Sequence, residues 1–89
     1  MKQVVEFRIN DGDAEYVEHG IYDKKYSDEE IICNFWFGDD SNVKDFEEGE
    51  NTGMYWDGSR LISISTRQDI SEDHIKILSN YGVAYEYSI

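Results

Sequence analysis

The chain has 89 residues, of which 20 are Asp or Glu and 8 are Lys or Arg, for a formal net charge of −12. That length sets one small domain, 1–89, which buries roughly 60–65% of the surface its unfolded chain exposes. The charge disfavours direct contact with nucleic acid or an anionic membrane, while a 39% hydrophobic content with four Phe, seven Tyr and two Trp argues against a disordered acidic tail.

In "KQVVEFRI" the residues Val5, Phe7 and Ile9 alternate with Val4, Glu6 and Arg8, the period-two pattern of a strand with one buried face. The Asp11-Gly12 pair that follows predicts a hairpin with a type I′ turn, whose two central residues need positive φ. The return strand "AEYVEHGIY" places Val17, His19 and Ile21 on one face and Glu15 near the other, and Gly20 suggests a bulge or a weak strand end.

The next segment reads two ways. Ser27 followed by Glu30 makes a capping box, whereas "IICNFWF" is rich in β-branched and aromatic residues. The composition favours a strand over 31–37, with Ile31, Cys33, Phe35 and Phe37 on one face. Against this, "SDEEIICNFWFG" and "SEDHIKILSNYG" align at an offset of 44 residues. A true repeat would make 27–37 a helix and the domain two β-β-α units.

Gly38 opens the acidic stretch "DDSNVKDFEEGE". Asp57-Gly58 then marks a second hairpin, with Ile62 and Ile64 alternating on its return strand. A helix over about 71–81 is marked by Ser71 as cap, Glu72 and Asp73 in the first turn and Gly82 just past the end. Ile70, His74, Ile77, Leu78 and Tyr81 fall at helical spacing. In "VAYEYSI" the residues Val83, Tyr85, Tyr87 and Ile89 alternate as a strand. The predicted fold class is α+β, a mostly antiparallel sheet with this one C-terminal-half helix packed on one face.

The chemistry-bearing patterns are sparse. Asp11, Asp13 and Glu15 match the first three ligand positions of an EF-hand loop, but Tyr16 stands at the glycine position and Tyr22 at the bidentate glutamate. A loop starting at Asp39 reaches Glu50 but carries Val43 and Lys44 at positions five and six. One cysteine, Cys33, sits in an apolar run where a buried thiol is inert, and it rules out a disulfide framework. His19 and His74 lie among apolar neighbours, which favours packing or capping. Neither a phosphate-binding loop nor a nucleophile elbow is present. No enzymatic activity, cofactor or metal is expected. The N-terminus lacks the apolar run of a signal peptide and no 18-residue apolar stretch occurs, so a soluble, cytoplasmic protein is expected.

What stands out is charge. Residues 1–50 hold fifteen acids and five bases, net −10, while 51–89 are nearly balanced at −2. The leading candidate for a partner-binding surface is Asp39, Asp40, Asp45, Glu47, Glu48 and Glu50, with Phe46 as an aromatic anchor inside a charged rim. Asp11, Asp13, Glu15 and Glu18 form a second patch. Carboxylates two residues apart on a strand project about 6.6 Å apart, and DNA carries a phosphate every ~3.4 Å along each strand. Such rows suit a groove lined with Lys and Arg.

In size, acidity and lack of catalytic motifs the chain resembles the small phage-encoded inhibitors that include anti-CRISPR proteins and DNA mimics. The resemblance rests on composition and the acidic segments. It implies a partner that is a basic nucleic-acid-binding protein, such as a CRISPR effector or a nuclease, whose nucleic-acid site the chain would block. An immunity protein or antitoxin against a nuclease toxin would use the same physics. A structural or oligomerising domain, including a homodimer, would use acidity for solubility and edge protection.

Overall fold

The computed structural model describes residues 1–37, 54–56 and 60–89. Four strands, β1 (Lys2–Asn10), β2 (Glu15–Asp23), β3 (Met54–Trp56) and β4 (Leu61–Ile70), form an antiparallel sheet in the order β2-β1-β4-β3. With helices α1 (Asp28–Ile32) and α2 (Glu72–Asn80) the fold is α+β.

The alternation in β1 sets the main core. Val5, Phe7 and Ile9 are fully buried, and across the ladder Phe7 faces Ile64 while Ile9 faces Ile62. Together with Tyr22, Ile31 and Ile32 they form one apolar cluster, against which Phe35, Trp36 and Tyr55 pack. The β1–β2 hairpin is present, but its connection is not a two-residue type I′ turn. Asn10 pairs with Glu15 around a four-residue loop in which Gly12 alone has positive φ, at 97°. The Asp11 carboxylate accepts the Asp13 and Ala14 N–H groups at 3.0 and 2.8 Å, and Asn10 Oδ1 accepts that of Gly12 at 2.8 Å. These side chains cap the loop from within, so Asp11 keeps an ordinary φ.

The strand expected over 31–37 is a helix. Ser27 Oγ accepts the Glu30 N–H at 3.2 Å and Glu30 Oε1 accepts the Ser27 N–H at 3.1 Å, so both halves of the capping box are made. Asp28, Glu29 and Glu30 sit at the positive end of the helix dipole. Ile31 and Ile32 are both buried, which adjacent residues of a strand with one buried face cannot be. A π-helical turn over Cys33–Phe37 continues α1 and lays Phe35 flat on Phe7, ring centroids 4.1 Å apart. Gly20 lies in regular register opposite Val5, without a bulge. A Cβ there would come within 3.1 Å of the Tyr22 ring and 3.3 Å of Phe35, so glycine serves the aromatic packing. Ser27→Ala should cost about 1 kcal/mol, read as a lower urea midpoint at unchanged m-value; no change in the midpoint would show that core burial alone holds α1.

The bulge falls in β4. The register steps from Glu6↔Thr66 to Phe7↔Ile64, so Ser65 is the extra residue. Ile62, Ile64 and Ile70 share sequence parity, yet the bulge keeps the first two in the main core and turns Ile70 to the opposite face. There it joins Ile21, Ile75, Leu78 and Ala84 in a second cluster under α2. The sheet therefore carries α1 on one face and α2 on the other.

Helix α2 begins where expected, with Ser71 Oγ accepting the His74 N–H at 3.3 Å. It ends in a Schellman motif: Val83 N–H bonds Leu78 O at 2.9 Å, Gly82 N–H bonds Ser79 O at 3.1 Å, and Gly82 has φ 69°. The inward residues are Ile75 and Leu78, whereas His74, Ile77 and Tyr81 of the expected stripe are exposed. Beyond the cap the chain runs beside β2. Ile21 N–H bonds Tyr85 O and Tyr87 N–H bonds Ile21 O, both at 2.9 Å, in a parallel bridge. Tyr87 then stacks on Tyr22 and meets Phe35 edge-on.

Candidate functional site

Among the described residues, two surfaces bear polar chemistry. The first is the acidic end of the sheet. Seven acids, Asp39, Asp40, Asp45, Glu47, Glu48, Glu50 and Asp57, lie with Phe46 outside the described residues.

The second predicted patch is described, and the fold divides it. Asp11 and Asp13 sit in the loop rather than on a strand, and hydrogen bonds from the backbone N–H groups of Ala14 and Asp13 hold the Asp11 carboxyl below its usual range. Glu15 belongs to the same face as Val17, His19 and Ile21, not the opposite one, and its carboxylate is paired with Arg8 at 3.0 Å. Glu18 is opposite Phe7 and so points to the α1 face. The four residues mark one end of the sheet without forming a single row.

The bases are held close to home. Arg67, packed near Val5, spans Gln3 at 2.9 Å, Asp28 at 2.7 Å and the Lys24 carbonyl at 3.2 Å, fastening α1 to the sheet. Lys2 and Lys24 each lie 4.0 Å from a carboxylate, of Glu86 and Asp69. Lys25 lies over Tyr26 and Arg60 over Trp36. Among the described residues, Asp11, Asp13, Glu18, Glu29, Glu30, Glu72 and Asp73 are exposed carboxylates with no ion-pair partner. Exposed pairs of this kind contribute little to stability, roughly 0–1 kcal/mol each. They do use up the positive charge that would otherwise offset the field.

The second surface is a groove of about 440 Å³ between the sheet and the C-terminal end of α2, lined by Val4, Glu6, His19, Thr66, Gln68, Leu78 and Val83. Strand register builds its floor, since Glu6 faces His19 on β2 and Thr66 on β4, and Val4 faces Gln68. His19 Nε2 is 3.3 Å from Glu6 Oε1, and the Ser65 hydroxyl donates to the other carboxylate oxygen. That hydroxyl and, less strongly, His19 hold the Glu6 carboxyl below its usual range. The bulge at Ser65 is thus also what orients Glu6.

Sequence reading missed this groove. Val4 and Glu6 were legible as the non-core face of β1, but Thr66 and Gln68 reach that face only through the bulge.

Cys33 is buried, as its apolar run predicts. Burial raises the Tyr22 hydroxyl above its ordinary pKa, and that hydroxyl donates to Asn34 Oδ1 at 2.8 Å. Among the described residues no group of three or more His, Cys, Asp or Glu could hold a metal ion, and no helix is long and apolar enough to cross a membrane. Comparison with protein-family models, with curated proteins and with solved structures finds no match.

Proposed function

We propose that the chain is an acidic inhibitor that binds a basic nucleic-acid-binding protein and blocks its nucleic-acid site, in the manner of anti-CRISPR proteins and DNA mimics. The observation that carries the reading is a net charge of −12 on a fold whose described bases lie on its own carboxylates and rings, with Lys76 the exception. Such a field speeds encounter with a positive groove and suppresses wrong partners. Among the described residues no buried side-chain nitrogen or oxygen lacks a hydrogen-bond partner, which limits the conformational entropy this part of the chain would lose on docking.

The test is capture from a host lysate on the immobilised chain, with mass spectrometry of what is retained. A basic nucleic-acid-binding protein is expected, with association slowing by an order of magnitude or more as salt rises from about 50 to 300 mM. Lysine in place of Asp39, Asp40, Glu47, Glu48 and Glu50 should abolish capture. Lysine at Asp13 and Glu18 should weaken it less. Retention of nothing basic, capture that survives the fivefold reversal, or a salt-insensitive homodimer with no partner would each overturn the proposal.

A further inference from the structure

We propose that the groove between the sheet and α2 is a binding site for an alkylguanidinium group, a planar cation on an apolar stem. Glu6 lies at its floor with each carboxylate oxygen engaged by one donor, from His19 and from Ser65. A carboxylate offers about four lone-pair sites, so two remain for a ligand. No lysine or arginine among the described residues is paired with Glu6. Arg8, on the same strand face, is drawn to Glu15 at 3.0 Å, and Lys2 to Glu86. The ion-pair partner of Glu6 among the described residues is His19, which is charged only when protonated. With His19 neutral, the groove holds a negative charge that no lysine or arginine of the described residues meets.

The remaining lining selects the rest of the ligand. Gln68 and Thr66 supply oxygens beside Glu6, and a guanidinium has five N–H donors in a planar fork to meet them. Val4, Leu78 and Val83 form an apolar wall for a short methylene stem. The volume, about 440 Å³, falls in the range of small-ligand sites. Anions are opposed by Glu6 and by the net charge, and an uncharged donor would meet the carboxylate without the charge-assisted, bidentate bond that a guanidinium makes.

The cation has two sources, a free small molecule or an arginine side chain of a protein. The inference does not rest on the inhibitor reading, because the titration below uses the isolated chain.

The test is an NMR titration of the ¹⁵N-labelled chain with n-butylguanidinium. Saturable shifts at the amides of Glu6, His19, Thr66 and Gln68 are expected, with a dissociation constant on the order of 1 mM. The neutral isostere n-butylurea should leave these amides unmoved, and Glu6→Gln should weaken binding about tenfold or more. Thr66→Arg, which places a guanidinium of the chain's own in the groove, should abolish binding and carries the test should Glu6→Gln fail to fold. A blocked Gly-Arg-Gly peptide that binds tighter than butylguanidinium would assign the source to a protein, and weaker binding would assign it to a small molecule. Absence of saturable shifts, butylurea binding equally well, or wild-type affinity in Glu6→Gln or Thr66→Arg would overturn the proposal.

Discussion

Phe7→Ala should destabilise the domain by about 3–5 kcal/mol, a large part of the total stability of a chain this short. Phe7 is fully buried at the centre of the main core. Its ring lies 4.1 Å from that of Phe35 in a near-parallel stack and 6.4 Å from Tyr22 in an edge contact. The substitution thus removes two aromatic contacts as well as apolar area, and takes away the ring on which Phe35 of the π-helical turn stacks. A domain of 89 residues has a total stability of roughly 4–13 kcal/mol at ~0.05–0.15 kcal/mol per residue. The loss is therefore comparable with the whole at the low end of that range and a substantial fraction of it at the high end. Val17→Ala, at a position 48% exposed on β2, serves as the control and should change stability by less than about 0.5 kcal/mol. Urea denaturation followed by near-ultraviolet circular dichroism reads both. A Phe7→Ala midpoint close to wild type would mean that the core repacks around the missing ring.

How legible all this was depends on which interactions decide each element. The alternation of Val5, Phe7 and Ile9 was sufficient for β1, because burial of one strand face is a property of sequence parity alone. The cap and stop of α2 were legible for a similar reason: Ser71 and Gly82 act on the backbone within a few residues. At 27–37 two local signals competed, and the capping box won over the β-rich composition because a helix buries Ile31 and Ile32 together while a strand with one buried face buries one of them. The repeat at an offset of 44 residues pointed to that outcome, since β1-β2-α1 and β3-β4-α2 are both β-β-α in order.

The groove was hidden by non-local register. A two-residue turn at Asp11-Gly12 would set Glu6 opposite Val17. The four-residue loop sets it opposite His19 instead, and nothing in either strand announces that loop length. The bulge at Ser65 was equally silent, because three isoleucines of like parity read as one buried face when they serve two. Of the acidic surface, the sequence carried the net charge in full. It did not show that Asp11 is spent on its own loop or that Glu15 and Glu18 project to opposite faces.

Ile75→Ala tests whether the two clusters are separable, and its expected loss is about 2–3 kcal/mol, the low end for an isoleucine truncated in a core. Ile75 is 4% exposed and holds α2 against Ile21 and Ala84. The cluster is small and has Leu78 and Ile70 at its margin, so it can partly close over the missing atoms. The main core lies across the sheet and shares none of these residues. Amides of α2 and the bond from Ile21 N–H to Tyr85 O should lose hydrogen-exchange protection first, while those of β1 keep theirs. The groove should suffer with α2, since Leu78 and Val83 supply its apolar wall. Butylguanidinium binding should therefore weaken in Ile75→Ala even though Glu6, His19 and Thr66 are untouched. Uniform loss of protection across β1 and α2 would instead make the two clusters one cooperative unit, with the groove as stable as the sheet that floors it.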